Sequence, residues 1–82
     1  MDKSLVLTVE NADAQKIFGA SVRAHRSQLG ISQEELAWRA NLHRTYVCDV
    51  ERGTRNVSLQ SIRKIARALE ISVAALFSEL NP

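Results

Sequence analysis

The sequence predicts an all-α fold of five helices, with an N-terminal arm at residues 1–11 and a single domain at residues 12–80. Apolar residues recur at intervals of three and four through most of the chain, which is the spacing of one helix face. Serine, asparagine and glycine residues stand where these runs begin and end, as helix caps do. With 82 residues, 45% of them apolar and only four aromatic, the chain can fill one modest core with aliphatic side chains.

The N-terminal arm contains the run SLVLTVE at residues 4–10, which is rich in β-branched residues and alternates loosely. This pattern predicts an extended arm or one short strand. Because a single strand is not stable alone, it must pair across a dimer, lie on the body of the domain or stay mobile. The sequence does not choose among the three.

The first helix is predicted to run to about Leu29, with Asn11 or Asp13 as its N-terminal cap. Gly30 follows at the position where a left-handed backbone ends a helix. The face of this helix that is expected to enter the core consists of Phe18, Val22, His25 and Leu29. Ala14 and Ile17 lie beside this face.

Residues 32–53 predict two short helices joined by a tight turn. The Ser32 hydroxyl can accept from the Glu35 N–H while the Glu35 carboxylate reaches back, which is a capping box. Asn41 ends the helix that follows, whose apolar stripe is formed by Leu36, Ala37 and Ala40.

The next helix is predicted to turn Val47 and Val50 inward and to stop at Gly53, which readily adopts a positive φ. Its polar side chains are expected outside: Arg44, Thr45, Cys48, Asp49 and Arg52. Two helices crossed over a turn of roughly three to four residues form a helix-turn-helix, whose second helix fits the DNA major groove. The pattern therefore indicates a recognition helix.

Two further helices are predicted after this motif, each opened by a serine cap at Ser58 or Ser72. The buried face of the fourth helix is expected at Leu59, Ile62, Ile65, Ala66 and Leu69. The short fifth helix carries Val73, Leu76, Phe77 and Leu80.

The last helix has more apolar residues than one bundle face needs. An exposed patch and a homodimer interface are therefore predicted at Ile71, Val73, Ala74 and Phe77. Alternatively, these side chains complete the core of the monomer, as we expect of Leu76. A symmetric dimer would set two recognition helices about 34 Å apart, one turn of DNA, and would match a palindromic operator.

The charges are unevenly distributed on a chain whose net charge is only +2. Between residues 38 and 67 the sequence has seven basic residues against the acidic Asp49 and Glu51. A basic face of this kind suits a polyanion such as DNA, and an ordinary solvated face is the alternative.

Three residues open the recognition helix and are candidates for contacts with DNA. Arg44 can pair bidentately with guanine O6 and N7, and Thr45 can offer a hydroxyl or a methyl group. Tyr46 is expected to be partly buried with its hydroxyl on a phosphate. One turn further on, Cys48 and Asp49 lie toward the groove, where Asp49 would accept from cytosine N4 or pair with an arginine of its own helix.

Other residues around the motif are predicted to contact the DNA backbone. Gln33 lies in the first turn of its helix, where its side chain and free N–H groups can grip a phosphate. Arg52, Arg55 and Asn56 flank the end of the recognition helix and would clamp the backbone or reach a groove edge.

Arg26 and Glu51 are predicted to form a structural salt bridge. Arg26 lies near the core face of the first helix, and Glu51 lies beside Val50 on the inward side of the recognition helix. A guanidinium can bind a carboxylate through two parallel hydrogen bonds, so the pair would brace one helix against the other.

The sequence does not indicate an enzyme. His25 and His43 are too few and too scattered for a metal site, and Cys48 without a paired histidine is not a nucleophile. No catalytic residue, metal or cofactor is therefore expected. The single cysteine indicates a reducing compartment, and no apolar run approaches the ~20 residues that span a bilayer. We expect a cytoplasmic, nucleoid-associated protein without a membrane partner.

At these positions the chain resembles the phage-repressor-like, or lambda-repressor-like, family of bacterial helix-turn-helix regulators. The resemblance covers about residues 16–80. The matching residues are Arg26, Gly30, SQEELA at 32–37, Tyr46, Val47, ERG at 51–53, Ile65, Ala66, Ala68 and Leu69. Within the family, the segment LHRTYVCDVERGTRNVSL at residues 42–59 is similar to the controller proteins of restriction–modification systems.

The resemblance implies a function and a set of contacts. Controller proteins are small dimers that bind palindromic operators ahead of their own gene and the endonuclease gene, first activating and then repressing transcription. RNA polymerase is therefore a further candidate partner. By position, the resemblance implies backbone contacts for Gln33, Arg52 and Asn56 and DNA-facing roles for Arg44, Thr45, Tyr46, Cys48 and Arg55. Cys48 departs from the serine or glycine usual at its position.

Two other functions remain open at the level of the sequence. A prophage-type repressor of its own gene would have the same domain. An antitoxin-like protein-interaction module would instead use residues 73–80 to hold a toxin, and substitution of Arg44 would spare that binding.

Overall fold

Five helices and one pair of short strands make up the computed structural model, which describes residues 8–9 and 12–78. The helices are α1 (Ala12–Leu29), α2 (Gln33–Ala40), α3 (Arg44–Arg52), α4 (Leu59–Leu69) and α5 (Val73–Leu76). The strands are β1 (Thr8–Val9) and β2 (Val57–Ser58). The predicted all-α, five-helix fold is confirmed. None of the helices in the described part is both long and apolar enough to span a membrane.

Serine caps open three of the helices, as the sequence predicts. The hydroxyls of Ser32, Ser58 and Ser72 accept from the backbone N–H three residues on, at 3.0, 3.2 and 3.1 Å. The prediction that the Glu35 carboxylate reaches back is wrong, because it accepts from Arg39 Nε at 2.9 Å instead. An arginine one turn along the helix has captured the carboxylate.

The start of α1 removes one of its two predicted caps. Asp13 lies inside the first turn of α1, so it does not occupy the N-cap position before the helix. Asn11, the other predicted cap, lies outside the described residues.

Residues in the left-handed conformation end four helices. Gly30 and Gly53, each with a φ of 76°, follow α1 and α3 as predicted. Asn41 ends α2 with a φ of 56°. Glu70 ends α4 with a φ of 62°, although its Cβ strains this backbone conformation.

The inner faces of all five helices form one core. Its largest fully buried side chains are Val57, for which the sequence predicts no inward position, and seven predicted inward residues: Phe18, Val22, Leu36, Val47, Val50, Ile65 and Leu76. Leu59, predicted on the buried face of α4, is instead 41% exposed, and Ile17 beside the face of α1 is 39% exposed. Periodicity identifies the inward side of a helix, but the extent of the neighbouring helices decides how much of that side is covered.

The apolar residues around α5 are mostly drawn into this core. The ring of Phe77 stacks on that of Phe18 with centroids 5.1 Å apart. Ile71, Val73 and Phe77 are half-buried and pack against the core, whereas Ala74 is exposed. These three residues therefore help to complete the core of the monomer, which is the alternative that the sequence leaves open, and each keeps part of its surface accessible. Leu80 lies outside the described residues.

Part of the N-terminal arm lies on the body of its own chain. β1 pairs antiparallel with β2, with Thr8 opposite Ser58 and Val9 opposite Val57. Of the three alternatives for the arm, residues 8–9 therefore adopt the intramolecular one. Its other residues, 1–7 and 10–11, lie outside the described part of the chain.

α1 and α3 approach each other closely at Gly19. This residue is buried, and a Cβ on it would lie 2.9 Å from the Glu51 carbonyl oxygen. The two backbones can come this near only because the residue has no side chain. Gly19 thus determines how closely α3 packs on α1, a role that no sequence pattern predicts.

Candidate nucleic-acid interface

α3 presents a polar outer side beside the start of α2. Its inward residues, Val47 and Val50, are fully buried, while Arg44, Thr45 and Arg52 are exposed as predicted. His43, the residue before α3, makes no side-chain cap hydrogen bond. The first N–H groups of α3 are therefore not capped by that side chain, and they lie at the positive end of the helix dipole.

Cys48 and Asp49 are half-buried, although the sequence predicts them on the exposed side of the helix. The Cys48 thiol donates to Gln33 Oε1 across 3.0 Å. The Asp49 carboxylate accepts from Arg52 Nη2 at 2.5 Å and lies 3.9 Å from Arg55 Nε. Asp49 thus pairs with an arginine of its own helix, which is one of its two predicted roles.

Arg26 and Glu51 form the predicted salt bridge between α1 and α3. Arg26 Nε lies 2.7 Å from one carboxylate oxygen of Glu51, and Nη2 lies 3.1 Å from the other. Their side chains are only 15% and 3% exposed. The third nitrogen, Nη1, donates to the Ile31 carbonyl at 2.9 Å. The hydrogen bond to Glu51, opposed by partial burial, raises the pKa of Arg26, so its charge persists at neutral pH.

Gln33 extends this salt bridge to α2. Its Nε2 donates to Glu51 at 3.0 Å, while its Oε1 accepts from Cys48. The carboxylate can only accept and the thiol donates, so the two partners fix the orientation of the amide. One N–H of the amide remains beyond these two bonds. The sequence does not predict this link, because Gln33 and Cys48 lie 15 residues apart on different helices and no periodic signal joins them.

Gln33 and Arg44 lie on one open cavity of about 560 Å³. The other lining residues are Arg26, Ser32 and Glu34. The structure therefore brings together the first turn of α2, predicted to contact the DNA backbone, and the first residue of α3, predicted to contact bases. A phosphate group in this cavity would meet an amide donor, a guanidinium and the start of a helix.

The loop after α3 is held against the rest of the domain. The Arg55 guanidinium lies over the Tyr46 ring, 4.6 Å from its centroid, and Tyr46 is half-buried as predicted. The Asn56 side chain accepts a hydrogen bond from Gln15 Nε2 on α1. Arg52 remains 69% exposed despite its contact with Asp49. Arg52 thus stands at the far end of the recognition helix from Arg44, whereas the Arg55 guanidinium lies back along the helix at Tyr46.

Comparisons with known proteins agree with this geometry. Residues 22–76 match a family model described as helix-turn-helix. Control protein C.BamHI from Bacillus amyloliquefaciens is 55% identical over 56 residues, which cover 67% of this chain and 69% of that protein. The crystal structure of the restriction–modification controller protein C.AhdI from Aeromonas hydrophila has 49% identity and a TM-score of 0.78, covering 82% of this chain and all of that one.

A second controller protein, C.Esp1396I, has been solved bound to a 25 base pair operator site. That structure has a TM-score of 0.73 and 33% identity, over 80% of this chain and 87% of the other. Further C.Esp1396I structures carry single replacements of an arginine, a threonine and a tyrosine at consecutive positions. In this chain the run Arg-Thr-Tyr occurs once, at residues 44–46, where α3 begins.

Proposed function

The chain belongs to the helix-turn-helix family that includes the restriction–modification controller proteins, and on that premise we propose that it is a DNA-binding transcription regulator of this kind. It binds a palindromic operator as a homodimer and regulates its own gene together with restriction–modification genes. It acts by binding rather than by catalysis. RNA polymerase is its further partner when it activates.

The observation that carries this proposal is the shared cavity of Gln33 and Arg44. DNA seated on α3 would place a backbone phosphate at the start of α2 and a base edge at Arg44. The Gln33 amide and helix N–H groups then hold the phosphate, while the Arg44 guanidinium reads guanine. The buried Arg26–Glu51 pair holds α3 against α1, and the bond from Gln33 to Glu51 adds α2 to this arrangement.

The remaining predicted contacts divide by position on α3 and the loop after it. Thr45 and Tyr46 follow Arg44 at the end of the helix that enters the groove. Arg52 at the other end of the helix, together with Arg55 and Asn56 of the loop after it, holds the DNA backbone. Asp49 orients Arg52 through their ion pair. Cys48 acts through Gln33, to which its thiol is bonded.

The proposed dimer interface centres on Ala74, which is exposed on α5 between half-buried apolar neighbours. Ile71, Val73 and Phe77 each keep part of their surface accessible, so a second copy of the chain could cover them. A two-fold axis there would place the two α3 helices on successive turns of the DNA major groove.

The proposal is tested by selecting the preferred site from random duplexes and measuring affinity by fluorescence anisotropy at several salt concentrations. A two-fold-symmetric selected site, bound far more tightly than a scrambled duplex, is the expected result. Equal, salt-sensitive binding to both duplexes would contradict sequence-specific regulation.

Two arginine variants separate base reading from backbone contact. Arg44→Ala should lose preference for the selected site by about 1–3 kcal/mol while keeping much of its affinity for random DNA. Arg52→Ala should lower the affinity for both duplexes to a similar extent and reduce the salt slope by about one. If the two variants behave alike, the assignment of these roles is wrong.

A further inference from the structure

A basic cleft lies between the last turn of α2 and the outer side of α4. It has a volume of about 390 Å³. We call it the α2/α4 cleft, and its polar lining consists of Arg39, Asn41, Gln60, Arg63, Lys64 and Arg67. None of the contacts described for the recognition helix uses these residues.

The positive charge of the α2/α4 cleft is only partly balanced. Arg39 on its rim pairs with Glu35 at 2.9 Å and lies 3.6 Å from Glu70. Within residues 12–78, no carboxylate lies within ion-pair distance of the three other cations, which are Arg63, Lys64 and Arg67. Lys64 is half-buried as well, so it has given up part of its hydration without gaining a counter-ion. Such a site attracts an anion.

The shape of the α2/α4 cleft suits a row of anionic groups rather than one. Gln60, Lys64 and Arg67 follow each other at helical spacing along α4, a span of about 10 Å. Asn41 at its other wall lies only three residues before Arg44, where α3 begins. A nucleic-acid strand beside the N-terminal end of α3 could therefore continue into the cleft.

We propose that the α2/α4 cleft is a second phosphate-binding surface, which takes the DNA backbone flanking the stretch that α3 reads. This inference rests on the proposed DNA-binding function. The cations contact phosphates without reading bases, so they extend the footprint and leave the preferred sequence unchanged.

The test compares duplexes that carry the selected site alone with duplexes that add ten base pairs of random sequence at each end. The wild-type protein should bind the longer duplex more tightly and with a steeper salt dependence. Each neutralisation, Arg63→Gln, Lys64→Gln or Arg67→Gln, should reduce the flank-dependent part of the salt slope by about one per protomer. The triple variant should bind both duplexes with nearly equal affinity.

Arg23→Gln is the matched control, because it removes one exposed positive charge from α1 outside the cleft. It should keep the full gain from flanking DNA. The proposal would be overturned if the triple variant gained as much affinity from flanking DNA as the wild type does. It would also be overturned if Arg23→Gln lost that gain to the same extent as the triple variant. Pyrophosphate titrated against the free protein tests the other source of phosphate. If pyrophosphate binds the free protein at the cleft and flank length has no effect on DNA affinity, the cleft takes a small anion instead.

The wild-type preference for the short selected site over a scrambled duplex is measured first, since it does not involve the flanks. Loss of that preference would defeat the proposed function itself, whereas its presence without a flank effect would defeat only the cleft. Circular dichroism of each variant shows that the helices are intact.

Discussion

Glu51 joins three helices through two hydrogen-bond partners, Arg26 on α1 and Gln33 on α2. Glu51→Ala should lower the free energy of unfolding by about 3–5 kcal/mol, because it leaves the mostly buried Arg26 charge without a counter-ion. Urea denaturation followed by circular dichroism measures this loss.

The double variant Arg26→Met with Glu51→Leu is the control for that prediction. It removes both charges and fills the space with apolar groups, so it should be more stable than Glu51→Ala alone. If the two variants are equally destabilised, the cost comes from lost packing and the unpaired charge is not its cause.

Cys48 offers a second residue-level prediction through its bond to Gln33. Cys48→Ala removes the donor and frees the amide, so affinity for the selected site should fall roughly three- to tenfold. Both side chains are neutral, so the salt slope should not change. Cys48→Ser keeps a donor and should bind nearly as the wild type does.

A double-mutant cycle tells positioning from direct contact. In a Gln33→Ala background, Cys48→Ala should have no further effect on affinity, since the thiol then has no amide to orient. Additive losses would show that Cys48 contributes independently of Gln33.

Among the secondary-structure elements, the fit of α1 against α3 depends on Gly19. Gly19→Ala should destabilise the domain by about 1–3 kcal/mol despite the better helix propensity of alanine, because its Cβ meets backbone carbonyls of α3. It should also weaken operator binding by the folded protein, since α3 must move. Thermal unfolding and anisotropy measure the two effects.

Gly30→Ala provides the comparison for this substitution. A Cβ at Gly30 meets nothing within 4 Å, and only its φ of 76° makes an alanine unfavourable. It should cost about 1–2 kcal/mol from backbone strain and leave operator affinity unchanged. Equal effects of the two variants on binding would refute a special role for the α1–α3 contact.

The elements themselves could be predicted because their signals are local. A serine before an apolar run, or a glycine after one, determines where a helix starts or stops, and Ser32 and Gly53 do so here. The Arg26–Glu51 pair was also predictable, since each residue borders an apolar face of its own helix.

What the sequence could not predict depends on packing between elements. Phe77 covers Phe18 only because α5 folds back onto α1, and no local pattern states that. Gln33 and Cys48 likewise meet across two helices. The Glu35 carboxylate accepts from Arg39 one turn along α2 instead of from the start of its own helix.

At the scale of the whole molecule, the proposed homodimer can be tested by substitutions on α5, but few positions there are suitable. Phe77 is a poor site for a test, because its ring stacks on Phe18 and a charge there would also damage the monomer core. Ala74 is exposed, so Ala74→Glu changes only the outer surface. Ala24→Glu places the same charge at an exposed position on α1 and serves as the control.

Ala74→Glu should sediment as a monomer, because two carboxylates would face each other across a two-fold axis in a partly dry interface. Its affinity for the full selected site should fall toward that for a half-site, since the second recognition helix is no longer tethered. The far-ultraviolet circular dichroism should match the wild type, and Ala24→Glu should stay dimeric. If Ala74→Glu and the wild type both sediment as dimers, the proposed interface on α5 is wrong and the contact lies on another surface of the domain.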